Sequence, residues 1–460
     1  MSKPNARYRQ LVATLRDGFE SGLTRPLDWR RGQLDAVERM LRENEPRIAE
    51  ALRADLSKPA QEVVLGETAL LFSEIRHARS RMERWSRPRR VPTPAIAQPG
   101  RSFVQPEPLG VALIIGAWNY PLQLIFAPLV PAIAAGNCAV LKPSEVTPAT
   151  SALIAEMVPQ YLDRRAFAVV EGAVPETTAL LERHFDHIFY TGGAAVGRIV
   201  MKAAAEHLTP VTLELGGKSP AIVDESADLA SAARRLAWGK SLNAGQTCIA
   251  PDYVLVSREH REALIEALRE QFRSMLGDRP VDSEDYAAIV NERHFQRVSA
   301  LLDQGTVAIG GRTDPESLRI EPTVLTDVDP QSDVMREEIF GPVLPIIDVD
   351  GLDEALAFVR RGDRPLAAYL FSRSRAAERR FLDEIVCGSV CINDVMMFMS
   401  VPELPFGGVG MSGMGQYHGQ AGFDRFSHLK SVIRRGRFPD PSIRYAPYSA
   451  WKTRLLKWFA

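Results

Sequence analysis

Apolar residues recur at helical spacing through the first ~85 residues, with Leu34, Val37 and Leu41 in one stripe and Leu70, Leu71 and Ile75 in another. Charged positions alternate with them, so amphipathic helices are predicted. The texture changes between Ser86 and Leu109, where Pro88, Pro92, Pro94, Pro99, Pro106 and Pro108 bar a helix and favour an extended arm or edge strand. Short apolar runs then appear at 111–115, 138–141, 167–170 and 187–190, separated by helical stretches near 121–135, 149–158 and 175–183. That rhythm predicts a parallel α/β sheet, in which ligands collect at the carboxyl ends of the strands. The polar residues at those ends are Trp118-Asn119, Lys142 to Glu145, and Thr191-Gly192-Gly193.

A second region opens near Val211 with clean alternation, Val211, Leu213 and Leu215 on one face and Thr212 and Glu214 on the other. Glu214 therefore ends a strand just before Gly216-Gly217. Further α/β segments run to about residue 395 and give way to the glycine-rich loop LPFGGVGMSGMG at 404–415. No internal repeat or low-complexity segment interrupts the pattern. One stretch, 108–141, carries no charge and has the length of a membrane span. Pro121, Pro128 and Pro131 interrupt it and Asn119, Gln123 and Asn137 would need partners in lipid, so buried strand and helix packing is the reading preferred, with no transmembrane segment.

Composition narrows the function classes. A chain of 460 residues suits two large domains, and 45% hydrophobic with 25% charged residues is the balance of an ordered globular protein. Lysine plus arginine at 56 nearly cancels aspartate plus glutamate at 57, so no overall field draws the chain to nucleic acid and small-molecule chemistry is favoured. The four cysteines, Cys138, Cys248, Cys387 and Cys391, are irregularly spaced, and the chain opens with no charged-then-apolar signal segment. A reducing cytoplasm is the expected setting. No metal-ligating cluster is read.

Local signals for chemistry are individually weak. Gly192, Gly193 and Gly197 do not reproduce the usual dinucleotide fingerprint spacing, and a glycine turn is needed merely to reverse the chain. Cys248 closes the polar turn AGQTC just before an apolar strand, a place where a nucleophile can stand, although a lone cysteine is more often inert and buried. Taken together, Cys248, Asn119 and Glu214 supply a nucleophile, an oxyanion donor and a base.

With those residues in place, the chain resembles the aldehyde dehydrogenase superfamily through GAWNYP (116–121), LKPSE (141–145), LELGGK (213–218), AGQTC (244–248), EEIFGP (337–342) and PFGG (405–408). The likeness runs from about residue 10 to residue 435. It is similar within the superfamily to the class 3 branch, including bacterial coniferyl aldehyde dehydrogenases, on Tyr120, HLTPVTLELGGKSP (207–220) and QTCIAPDYVL (246–255). The resemblance implies Cys248 as nucleophile and an oxyanion held by the Asn119 amide with Cys248's own N–H. It makes Glu214 the first candidate for the base that activates water, with Glu338 as a second. Lys142 and Glu145 resemble the pair on the adenosine ribose, and Glu338 with Phe340 the holder of the nicotinamide ribose. Thr191, Gly192, Gly193, Gly197 and Leu215 complete the expected cofactor contacts. A carboxylate near the ribose 2′-hydroxyl favours NAD, with NADP also accepted in the class. Gly193 departs from the serine usual in class 3 relatives, which leaves the phosphate contact open while the turn itself can still form.

The architecture implied is a Rossmann-type dinucleotide-binding domain (1–86 and 107–212), an α/β catalytic domain (213–411), and a β oligomerisation arm with a C-terminal tail (87–106 and 412–460), assembled as a homodimer. The activity implied is oxidation of aromatic or medium-to-long aliphatic aldehydes. Trp118, Tyr120 and Phe406, with Met396, Met397 and Phe398, are candidates for an apolar funnel, and equally for core. In the tail, Trp451, Leu455 and Phe459 share a helical face beside Lys452, Arg454 and Lys457. This face suits packing on the chain's own dimer better than weak contact with a membrane surface. Two rival readings stand beside the oxidation: a CoA-acylating dehydrogenase, against which Glu214 argues, and a non-catalytic binding protein on the same fold, against which the complete set of Cys248, Asn119 and Glu214 argues.

Overall fold

The computed structural model describes the backbone of residues 3–459 and the side chains of residues 6–458. The amphipathic N-terminal stretch forms the helices Lys3–Glu20, Leu27–Glu43, Glu45–Leu56 and Ala69–Ser86. Leu34, Val37, Leu41, Leu71 and Ile75 lie at zero exposure on their inner faces. The last helix stops at Ser86, where the prolines begin, and the chain continues as β1 (Arg89–Val91) and β2 (Gly100–Pro108).

A first sheet follows from β3 (Val111–Ile115), β4 (Cys138–Lys142), β5 (Phe167–Val169), β6 (His187–Thr191) and β7 (Val211–Glu214). Next come β8 (Pro220–Val223), β9 (Tyr253–Ser257), β10 (Thr306–Ile309), the small hairpin β11 (Thr313–Asp314) and β12 (Arg319–Ile320), and β13 (Thr323–Thr326). The second sheet is completed by β14 (Val343–Val349), β15 (Ala367–Phe371) and β16 (Ser389–Ile392). Late in the chain β17 (Gly413–Met414) returns to the first sheet and β18 (Ser427–Arg435) joins the arm.

The first sheet has the order β17-β7-β6-β3-β4-β5 and the second β10-β13-β14-β9-β8-β15-β16. Pairing is parallel except at β17 and β10, which close one edge of each sheet antiparallel. This is the doubly covered α/β architecture expected of the sequence. The uncharged stretch is explained by it: β3, β4 and the intervening helix Gln123–Ala135 are buried along their whole length, as strands of a covered parallel sheet and their crossover should be.

The helical stretch read near 121–135 is the helix Gln123–Ala135, and Pro128 and Pro131 both lie inside it. Each removes a backbone N–H, at about 3 kcal/mol in an ordinary helix. Here apolar burial on every side holds the helical path in spite of that loss. The alternation at 211–215 is also shorter than read, since β7 ends at Glu214 and Leu215 begins the loop, donating its N–H to Ser412 O at 3.1 Å.

The prolines of 88–108 sit in an antiparallel three-stranded sheet, β1-β2-β18, in which β18 pairs with β2 along nine residues. Helix Gly419–Arg425 lies between β17 and β18 and packs on helices Ala69–Ser86 and Gln123–Ala135. The tail forms a helix, Ala450–Phe459. Trp451 and Leu455 are exposed on it, whereas the Lys452 ammonium is bonded to the Tyr445 and Pro447 carbonyls at 3.0 and 2.9 Å. The Phe459 side chain lies outside the described residues. Among the described residues no helix is long and apolar enough to cross a membrane.

Candidate active site

The functional side chains stand where the topology puts loops, at the carboxyl ends of parallel strands. Trp118, Asn119 and Tyr120 follow β3, Lys142 ends β4, Thr191 ends β6 and Glu214 ends β7. Cys248 reaches the same region from the turn between helix Leu229–Ser241 and β9. That turn holds two consecutive residues with left-handed backbone, Asn243 and Ala244, both at φ 51°. Such a conformation strains a residue with a Cβ and persists only where its surroundings impose it.

The loops that carry Asn119 and Cys248 are tied together directly. The Asn119 amide donates to Gln246 O at 3.1 Å, leaving its other N–H for a ligand, and the Tyr120 hydroxyl shares a hydrogen bond with Thr247 at 2.8 Å. Burial and the carboxylates of Glu338 and Glu214 push the Cys248 thiol well above its ordinary value, while the N–H groups of Cys248 and Ile249 work against that shift. Both carboxylates thus lie close enough to the sulfur to disfavour its thiolate.

The two carboxylates differ in what they touch. Glu214 is 3% exposed and neither of its oxygens has a hydrogen-bond partner; burial raises its pKa well above normal, and Arg425 only partly offsets this. Glu338 is pushed up to about 8, mainly by burial with Asp252 adding repulsion, but it accepts the Gly217 N–H. Its carboxylate lies so close to Gly216 that a Cβ there would stand 1.8 Å from an Oε atom. A side chain on the first glycine of LELGGK would therefore displace the Glu338 carboxylate. Lys218 secures the same segment from below, donating to Val334 O and Glu337 O at 2.8 and 2.9 Å and pairing with Asp252, whose other oxygen takes the Ile339 N–H at 3.0 Å. Phe340, in the grip of these bonds, has φ 45° and meets Trp118 edge-on at 5.2 Å between centroids.

A cleft of about 1030 Å³ opens between the sheets, lined among others by Ala194, Gly216, Gly217, Lys218, Glu338 and Ser412. At its border Gly193 precedes helix Ala194–Ala205 with open space over its Cα, and the buried Thr191 hydroxyl has no partner. Gly197 brings the same helix onto Leu215, whose side chain a Cβ would strike at 2.9 Å. The buried Lys142 ammonium lies 3.5 Å from the half-exposed Glu145. An orphaned hydroxyl, an open glycine at a helix start and a cation with a carboxylate beside it fit the polar demands of a dinucleotide. Among the described residues no cluster of His, Cys, Asp and Glu is arranged to hold a metal.

The structure gathers Cys248, Asn119, Glu214 and Glu338 in one region. Phe406 is 5% exposed, stacks on Phe398 and His418, and lines a cavity of about 170 Å³. Several residues of the site escaped the sequence reading. Gln246 and Lys218 lie within the motifs and were visible there without a role. Lys58, Glu62, Glu67 and Asn243 carried no signal beyond being polar.

The sequence model of the aldehyde dehydrogenase family matches residues 3–432. The chain belongs to this family. Among similar proteins, mouse aldehyde dehydrogenase family 3 member A2 is 48% identical, covering 97% of this chain and 93% of its own length. The mouse protein named aldehyde dehydrogenase, dimeric NADP-preferring, is 49% identical, covering 96% and 98%. The structure of Staphylococcus aureus AldH in a substrate-bound state superposes with a TM-score of 0.95 at 41% identity, covering 98% of this chain and 99% of the other. This aldehyde dehydrogenase is accordingly an NAD(P)-dependent oxidoreductase with its likeness to class 3 extending over nearly the whole chain.

Proposed function

We propose that this aldehyde dehydrogenase oxidises aromatic or medium-to-long-chain aliphatic aldehydes to carboxylic acids, with Cys248 as nucleophile, Asn119 as oxyanion donor and Glu214 as base. The observation that carries the reading is the contrast between the two buried carboxylates. Glu214 has both oxygens unengaged, whereas Glu338 is held by Gly217.

Attack of the sulfur on the aldehyde carbon forms a C–S bond and a tetrahedral oxyanion. The free N–H of the Asn119 amide and the Cys248 N–H stabilise that oxygen; losing one such donor costs about 3–4 kcal/mol. As the sulfur attacks, its proton passes by way of the nearby carboxylates to solvent, so that Glu214 is ionised again before hydrolysis. NAD or NADP, when bound, accepts the hydride. Glu214 then takes a proton from water as it attacks the thioester, releasing the acid and restoring the thiol.

Thr191, Gly192, Gly193 and Gly197 with Leu215 would carry the cofactor's diphosphate side, Lys142 and Glu145 its adenosine ribose, and Glu338 and Phe340 its nicotinamide ribose. NAD is the first choice because of Glu145. Its pairing with Lys142 softens the repulsion of a 2′-phosphate, and one 49% identical relative is named NADP-preferring, so NADP is accepted too. Trp118 and Tyr120 border the aldehyde's path. Cofactor binding falls to residues 1–86 and 107–212, catalysis to 213–411, and assembly as a homodimer to the arm and tail, 87–106 and 412–460, within which β17 pairs with β7 of the first sheet.

The test is rapid mixing of the protein with NAD and benzaldehyde or hexanal, following reduced cofactor. Glu214→Gln should retain a burst of one equivalent per site and lose steady turnover, and Cys248→Ser should lose both. Unchanged steady turnover in Glu214→Gln would remove Glu214 from this role.

A further inference from the structure

Between helices Glu45–Leu56 and Ala69–Ser86 the chain runs through Lys58, Glu62 and Glu67, all outside the catalytic set. Lys58 and Glu67 form a fully buried ion pair at 2.8 Å, both side chains at zero exposure. Taking two charges out of water costs as much as their attraction returns, so such a pair is a poor source of stability. What it does supply is direction. The Lys58 ammonium also donates to the backbone O of Asn119 at 3.0 Å and sits 4.2 Å over the Tyr120 ring. Glu67 uses its second oxygen to accept the Gln123 N–H at 2.8 Å, fixing the other end of the same loop.

The local backbone is shaped for this contact. Residues Val64–Thr68 form a π-helical turn, a widening often found at functional sites, which turns both Glu67 and Thr68 into the interior. Gly66 within it lies flat on Tyr120, where a Cβ would stand 2.7 Å from the ring.

The Asn119 carbonyl is gripped from a second side. The Asn243 amide donates to Asn119 O at 2.9 Å and to Gln246 O at 3.1 Å, and the Asn119 amide returns to that same Gln246 oxygen. A closed polar ring thereby joins the oxyanion loop to the turn that ends in Cys248. Its strained member is fixed from the N-terminal segment too, since Glu62 accepts the Asn243 N–H at 2.8 Å.

We propose that Lys58 is a positioning residue of the oxidation, which with Glu67 and Asn243 sets the Asn119 amide against Cys248. The inference rests on the reading of Asn119 and Cys248 given above. It makes the 58–67 segment part of the active-site frame, although none of its side chains touches the reacting atoms.

The experiment is a double-mutant cycle on the burst of reduced NAD with benzaldehyde. Lys58→Met should slow the burst about tenfold or more, as small misplacements of catalytic groups do, while NAD affinity by fluorescence titration stays within about twofold. In an Asn119→Ala background the same change should cost less than about twofold further, because the group through which Lys58 acts is already gone. Equal losses in both backgrounds, or no loss in a folded Lys58→Met, would overturn the proposal. If Lys58→Met does not fold, the isosteric Glu67→Gln enters the same cycle with the same two outcomes. A wild-type protein that gives no burst would instead overturn the oxidation itself, and this role with it.

Discussion

Burial without a partner suits Glu214 to the base role proposed for it and also sets when it can serve. Its folded pKa lies well above that of a free carboxyl, so at low pH it carries a proton and cannot take one from water. Steady turnover should therefore rise with pH over a range above that of an ordinary carboxyl, and this limb should vanish in Glu214→Gln while the burst survives; a profile flat from acid to alkaline pH would contradict the assignment. Cys248, Asn119 and Glu214 were legible because each sits in a motif whose chemistry needs that residue type. Lys58 and Glu67 were not. Nine positions apart in a stretch rich in charge, they read as the solvated side of a helix, and only the π-helical turn and the docking of Tyr120 show that they face inward.

Elements decide how firmly the site is held. The strands at 111–115, 138–142 and 187–191 and the helices between them follow from short apolar runs and helical periodicity, and the loops that carry the polar residues follow from parallel topology. The pairing of β17 with β7 could not be read in this way, since a two-residue strand in a glycine-rich loop has no period and its partner lies about 200 positions earlier in the chain. Helix Gln123–Ala135 was legible as a helical stretch near 121–135, and it keeps its path across two prolines because burial outweighs local propensity. The grip of Lys218 and Asp252 on 337–342 is likewise a product of tertiary structure. Lys218→Met should loosen Glu338 and Phe340 together, raising KM for the cofactor by about tenfold for about 1.4 kcal/mol lost, with the aldehyde KM little changed. Steady-state kinetics with each substrate varied in turn would show whether the effect falls on that side alone.

For the whole molecule, the arm is the part with least to hold it in a lone chain. β18 lies at the edge of its sheet, nine residues long, with Leu429 and Ile433 exposed at 41% and 54%. A long edge with exposed apolar side chains can take another strand, and a second copy of the chain is the occupant that the homodimer reading requires. Ile433→Lys with Leu429→Lys should shift the protein to monomers in light scattering at micromolar concentration, with the far-ultraviolet spectrum kept; an unchanged dimer would place the interface elsewhere. The sequence marked this region by its prolines, which told that it was extended but not what it would meet.

The left-handed pair Asn243 and Ala244 has a consequence for how the protein would respond to selection. Ala244 carries a Cβ where glycine would be at ease, at a strain of about 1–2 kcal/mol. Relief of that strain is open to a single substitution, and it would come at the hinge that aims the nucleophile. Laboratory evolution for heat resistance alone should thus be drawn to this turn, and the hardier variants it yields there should be the slower enzymes.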